Sequence, residues 1–150
     1  MSPFFISLAL MNIGRNLRNI AIKNNSITVG ENNTVLPFRG VINFHGGYDT
    51  VDISGNTLTN GNMGIYFRNR GMNMVMNGNK IQNMRGIGIN FDGFQYELFD
   101  NVKISENDIQ ADRIALNLSF GQNFKLINNV LVAPRRINGQ AQFYLQKSGS

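Results

Sequence analysis

The stretch V-D-I-S-G-N-T-L-T, residues 51–59, alternates apolar and polar positions, breaks at Ser54-Gly55, and resumes with Asn56 two residues before Leu58. Alternation with period two marks a half-buried strand, and the Ser-Gly pair marks a turn. The phrase therefore reads as a strand, a corner and a second short strand, with an asparagine at the corner.

Nearly the same phrase returns along the chain as φ-x-φ-x-x-N-x-φ, where φ is apolar. It runs from Ile20 through Asn25 to Ile27, from Val51 through Asn56 to Leu58, and from Met74 through Asn79 to Ile81. It then runs from Val102 through Asn107 to Ile109 and from Phe124 through Asn129 to Leu131. The asparagines lie 31, 23, 28 and 22 residues apart. Self-similarity at such periods signals a solenoid, in which one unit cannot bury its own apolar face and must stack on its neighbours.

Leucine-rich repeats carry a similar core phrase, so the segment upstream decides between two solenoids. A second apolar pair recurs there: Ile42-Asn-Phe44, Ile65-Tyr-Phe67, Ile89-Asn-Phe91 and Leu116-Asn-Leu118. These pairs alternate and favour β-branched and aromatic residues, as strands do. Helical periodicity is nearly absent, with Leu8 to Leu17 the one passable stretch. Each unit thus reads as two or three short strands wound into a coil.

Such an arrangement resembles the right-handed parallel β-helix of the pectate-lyase-like superfamily, a group that also includes phage tailspikes. The fold expected is all-β, a single-stranded parallel β-helix of about five to six coils. Residues 1–150 form one domain, with coils over 4–145 and a polar tail over 146–150. Successive coils lie about 4.8 Å apart. Asn25, Asn56, Asn79, Asn107 and Asn129 should then form a structural ladder, their amides bonding to the coils above and below. Asparagine suits the corner because it tolerates left-handed backbone.

Composition supports a turn-rich chain with a polar but weakly charged surface: 24 Asn and 16 Gly, 42% hydrophobic residues and 15% charged. The absence of Cys excludes disulfides, zinc fingers and a thiol nucleophile. The net charge is +5, but basic residues are scattered, with only Arg135-Arg136 adjacent, and nucleic acid is not expected as a partner. The apolar run over residues 4–11 is too short to span a bilayer and reads as a buried strand, so no membrane association is expected. The loops at 29–40 and 92–100 are free of the repeat and could carry specificity.

Aligning the upstream pairs places two outward columns on one face: Asn43, Tyr66, Asn90, Asn117, and then His45, Arg68, Asp92, Ser119. The alternative pair Ile87-Gly-Ile89 leaves room for a register slip of two residues at the third coil. Tyr66, Arg68, Asn90, Asp92 and His45 are the candidate glycan contacts, with Tyr66 stacking on a sugar ring and Arg68 pairing with a carboxylate. An ordinary solvated sheet face is the competing reading.

His45 is the only histidine, which rules out a two-histidine metal site. No metal, cofactor or catalytic residue is assigned. Glycosidase chemistry needs two facing carboxylates, which Asp92, Glu97 and Asp100, or Asp49 with Asp52, could supply. The lyases of the resembled superfamily use clustered calcium-binding aspartates beside a basic residue, and none sits next to Arg68, Arg85 or Lys103.

The strand pattern begins at Phe4 and ends with Gln142-Phe-Tyr-Leu145, so neither end leaves room for the polar cap a solenoid needs. The expectation is a homo-oligomer, most simply a trimer, or assembly with other virion subunits, the alternative being a fragment or alternative translation product of a longer β-helical protein. The resemblance then implies a structural or adhesive module of a phage-like virion, as a tail spike, fibre or capsid appendage. Surface polysaccharide is the candidate ligand and the virion the expected location, or alternatively the extracellular space. The alternative is a polysaccharide lyase or glycoside hydrolase.

Overall fold

The computed structural model describes residues 8–11, 17–29, 40–134 and 143–146. Fourteen strands and no helix make up the described residues. β1 (Leu8–Met11), β2 (Leu17–Lys23) and β3 (Ser26–Thr28) form the first coil, and β4 (Gly40–Ser54) and β5 (Thr57–Thr59) the second. The third contains β6 (Met63–Asn77) and β7 (Lys80–Met84), and the fourth β8 (Ile87–Gly93), β9 (Phe99–Ser105) and β10 (Asp108–Ala111). β11 (Ile114–Ser119), β12 (Gly121–Ile127) and β13 (Val130–Val132) follow, and β14 (Phe143–Gln146) lies on β11.

Every pairing between these strands is parallel. One nine-stranded sheet bends round two faces of the coil, and a five-stranded sheet in the order β13-β10-β7-β5-β3 forms the third. The chain is a parallel β-solenoid. Between β3 and β13 it makes about four turns, slightly fewer than the five to six expected. The absence of helix among the described residues and the strands on all three faces exclude the leucine-rich repeat, and Leu8–Met11 is strand. The segments 1–7, 12–16, 30–39, 135–142 and 147–150, including most of the expected loop at 29–40 and nearly all of the tail, lie outside the described residues.

The register is the one that the apolar pairs demand. Ile42, Ile65, Ile89 and Leu116 stack in one inward column, and Phe44, Phe67, Phe91 and Leu118 in the next. The slip of two residues at Ile87 does not occur, because Ile89 faces Ile65 and Phe91 faces Phe67. A slip would have broken the aromatic stack, whose ring centroids lie 4.7 Å apart for Phe44 and Phe67 and 4.8 Å for Phe67 and Phe91. Those spacings match the strand separation, so identical residues in successive coils are held at ring-stacking distance by the backbone itself.

At the corner between the second and third faces the asparagines form a continuous ladder. The backbone N–H and Nδ2 of Asn56 both donate to Oδ1 of Asn79, each at 3.0 Å. Those of Asn79 donate to Oδ1 of Asn107 at 2.9 Å, and those of Asn107 to Asn129 at 3.0 and 2.9 Å. Asn25 donates to Asn56 in the same way. Each amide also reaches back one coil: Nδ2 of Asn56, Asn79, Asn107 and Asn129 donates to the carbonyls of Ile22, Ile53, Met76 and Ile104. Asn56, Asn79 and Asn107 are 1% exposed.

The reason for asparagine differs from the one its turn propensity implies. The left-handed residue is not the ladder asparagine but the one before it: Asn24, Gly55, Gly78, Glu106 and Asn128, with φ between 51° and 66°. Asparagine is required at the ladder for its side-chain chemistry, a donor and an acceptor on one short arm. The preceding position needs a residue that tolerates left-handed backbone, which glycine and asparagine do. Glu106 does not fit that rule. Glu106→Gly should raise unfolding free energy by about 1 kcal/mol, read from urea denaturation; an unchanged or lower midpoint would show that its conformation carries no strain.

A second left-handed column, Asn19, Thr50, Asn73, Asn101 and Asn123, immediately precedes the φ-x-φ pair in each coil. Its amides link on the outside, with Nδ2 of Asn101 donating to Oδ1 of Asn73 at 2.8 Å and Nδ2 of Asn73 to Asp49 at 2.9 Å.

Candidate functional site

The two outward columns on the first face form as aligned. Asn43 faces Tyr66, Tyr66 faces Asn90, and Asn90 faces Asn117, while His45, Arg68, Asp92 and Ser119 form the adjacent row. Parallel pairing in register brings together residues from four coils, spread from position 43 to position 119 of the chain.

Much of this surface is not solvated. Asn43, Tyr66, Asn90 and Ser119 are buried. The Tyr66 hydroxyl donates to Oδ2 of Asp92 at 2.7 Å, and its ring meets the His45 ring edge-on at a centroid distance of 5.6 Å. Burial, and then the Asp92 carboxylate, push the phenol well above its ordinary range, so Tyr66 stays neutral and acts as a donor. With 4% of its surface exposed, its ring offers no open face for stacking on a sugar. Asn43 turns back on its own strand, its Oδ1 accepting from Gly40 N–H at 2.7 Å and its Nδ2 donating to Gly40 O at 2.6 Å. Asn117 Nδ2 donates to Asn90 Oδ1 at 2.6 Å.

Arg68 is exposed, and its position redirects attention to the corner beyond the row. Between the first and second faces the third coil needs a single residue, Arg70, to pass from Asn69 to Gly71. The fourth coil has residues 94–98 between the positions that pair with those two, Gly93 and Phe99. The insertion closes on itself: Glu97 N–H donates to Phe94 O at 2.9 Å, and Phe94 N–H to Glu97 O at 3.4 Å. It therefore projects as a tight turn with Gln95 and Tyr96 at its tip. Tyr96 is 89% exposed and Phe94 44%. The Arg68 guanidinium lies over the Phe94 ring, 5.9 Å from its centroid, a cation-π contact that ties the turn to the third coil.

Sequence reasoning placed specificity in the segment 92–100 but selected Tyr66 rather than Phe94 and Tyr96. The available signal was two aromatic residues where neither repeat nor alternation requires them. Asp92, half-buried on the row, accepts from Tyr66 and stands two residues before Phe94, where the turn begins.

Of the carboxylates considered for hydrolysis, Asp49 and Asp52 are engaged structurally. Asp49 accepts from Asn73 and Thr50, with Arg18 3.6 Å away, and these bonds hold its carboxyl below the usual range. Asp52 is lowered by Lys23, 2.6 Å away, and by the Ser54 hydroxyl. A glycosidase acid must instead be raised so that it carries a proton near neutral pH. Among the described residues no group of three or more His, Asp or Glu side chains could hold a metal ion.

No protein-family model, curated protein or solved structure matches the chain.

Proposed function

We propose that this chain is a structural and adhesive β-solenoid module of a phage-like virion, part of a tail spike, fibre or capsid appendage, which contacts surface polysaccharide through the Phe94–Glu97 corner. The observation that carries the reading is the exposed aromatic turn, held against Arg68 on a rigid stack of coils. Aromatic faces cover the apolar face of a pyranose while a guanidinium pairs with carboxylate or hydroxyl groups. An insertion that exposes an almost complete tyrosine side chain adds nothing to the core, so a binding role accounts for it better than stability does. The resemblance to tailspike-type β-helices supports the virion setting and assembly with further copies, a trimer being the simplest arrangement.

The test is calorimetric titration of the protein with a panel of acidic and neutral polysaccharides. Tyr96→Ala should weaken binding of the responding glycan at least about tenfold, as loss of a stacking anchor does, while leaving stability within about 0.5 kcal/mol, as for other surface changes. Absence of binding across the panel, or equal binding by Tyr96→Ala, would overturn the glycan reading. New reducing ends or unsaturated products during the titration would favour the lyase or hydrolase instead.

A further inference from the structure

Charge is distributed unevenly along the chain. Residues 1–112 carry nine basic and nine acidic side chains, whereas residues 113–150 carry five basic ones, Arg113, Lys125, Arg135, Arg136 and Lys147, and no acid. The whole net charge of +5 therefore belongs to the last quarter of the sequence. Asymmetry of this kind points to an anionic partner.

The second face shows where the excess meets the coil. Asp52, Val75, Lys103 and Lys125 stand in register in one outward column on successive coils. In the first two coils the face neutralises itself, Lys23 lying 2.6 Å from Asp52 and Arg18 3.6 Å from Asp49. Val75 then separates Asp52 from the two lysines. Lys103 and Lys125 are exposed and directly opposite each other, their backbones about one strand spacing of 4.8 Å apart. Among the described residues no carboxylate forms an ion pair with either. Asp100, the only acid of β9, is engaged elsewhere, accepting from Asn123 Nδ2 at 2.8 Å. Like charges facing each other across strands destabilise a sheet, so the fold by itself gives no reason for the pair.

Its position does. β9 leaves the aromatic turn at Phe99 and carries Lys103 four residues further on, about 13 Å along the strand. Two ammonium groups side by side offer six N–H donors to one anion.

We infer that Lys103 and Lys125 form an anion subsite continuous with the Phe94–Glu97 turn, so that the polysaccharide taken at Tyr96 is an acidic one, with a carboxylate held between the two ammonium groups. The inference rests on the glycan reading of that corner and narrows its ligand. A neutral chain would leave the two charges uncompensated. A nucleic acid would call for a longer basic stripe, and Val75 and Asp52 end the column after two coils.

The probes are polygalacturonate and the same polymer with its carboxyls reduced to alcohols, titrated calorimetrically into the intact protein at low and at physiological salt. Polygalacturonate should bind, more weakly as salt rises, and the reduced polymer at least about tenfold more weakly. The double variant Lys103→Gln, Lys125→Gln should bring the acidic polymer down to the level of the reduced one. Lys125→Glu should do the same with an unchanged or raised thermal midpoint, since opposite charges then face each other. Tyr96→Ala should weaken both polymers. Equal binding of the two polymers, or no effect of the double variant, overturns the subsite, and a loss with Tyr96→Ala in that case keeps the corner without it. A loss with the lysine variants but none with Tyr96→Ala overturns the corner reading and keeps the anion pair. No binding of polygalacturonate overturns the subsite, as does single-stranded DNA bound more tightly at equal salt and released by the double variant.

Discussion

Asn79→Ala should lower unfolding free energy by about 4 kcal/mol, the loss expected at a buried inner position of the ladder. The side chain of Asn79 accepts two hydrogen bonds from Asn56 and donates to Asn107 and to Ile53 O, all in a region 1% exposed at the ladder. Truncation leaves the Asn56 N–H without its acceptor and takes the Asn79 amide from the Ile53 carbonyl, at about 1–3 kcal/mol for each unsatisfied group, while Asn56 Nδ2 keeps its bonds to the Ile22 and Ser54 carbonyls. Asn25→Ala, at the exposed end of the ladder, removes bonds whose partners water can replace and should cost about 1 kcal/mol. Equal losses at the two positions in chemical denaturation would mean that the ladder does not act through burial.

Asn79→Asp separates shape from chemistry. The acid keeps an acceptor for Asn56 but turns a second oxygen toward Ile53 O and Asn107 Oδ1, both acceptors. Desolvation and this repulsion raise the folded-state pKa above the unfolded value. The folded protein therefore binds the proton more tightly, and the penalty shrinks as pH falls toward the ordinary carboxylate range and grows as pH rises above it. Stability that is flat between acidic and neutral pH would show that the side chain has left the ladder.

The second large effect is expected at Gly88. A Cβ there would lie 2.5 Å from the Ala115 carbonyl oxygen and against Cγ2 of the buried Ile109. Backbone on one side and a packed β-branched side chain on the other leave no cheap relaxation, so Gly88→Ala must spread the fourth and fifth coils. A loss of about 3 kcal/mol is expected. Gly78→Ala is the control. Its Cβ would meet nothing within 4 Å, but its φ is 61°, so only the left-handed penalty of about 1 kcal/mol applies. If Gly78→Ala proved the more damaging in thermal unfolding, conformational freedom rather than close packing would be the reason for glycine along the coil.

Both effects come from a feature that is legible in sequence, the vertical alignment of like residues, but their sizes are not. The Gly64 and Gly88 column carries no repeat letter that separates it from glycines serving turns. The left-handed positions were equally hidden in plain view. Asn73, Asn101 and Asn123 each precede an apolar pair, yet in a chain with 24 asparagines their recurrence does not distinguish itself from background composition.

By itself the sequence determined that the chain winds, which residues point inward, and which asparagines meet at the corner. Period two and the repeat interval state these things directly, because each strand has two sides and each coil must align with the next. Only the tertiary structure decided that Tyr66 is closed off while Tyr96 is open, and that Val130 and Val132 of β13 are exposed. Alternation tells which side of a strand a residue occupies; what lies against that side depends on distant parts of the chain.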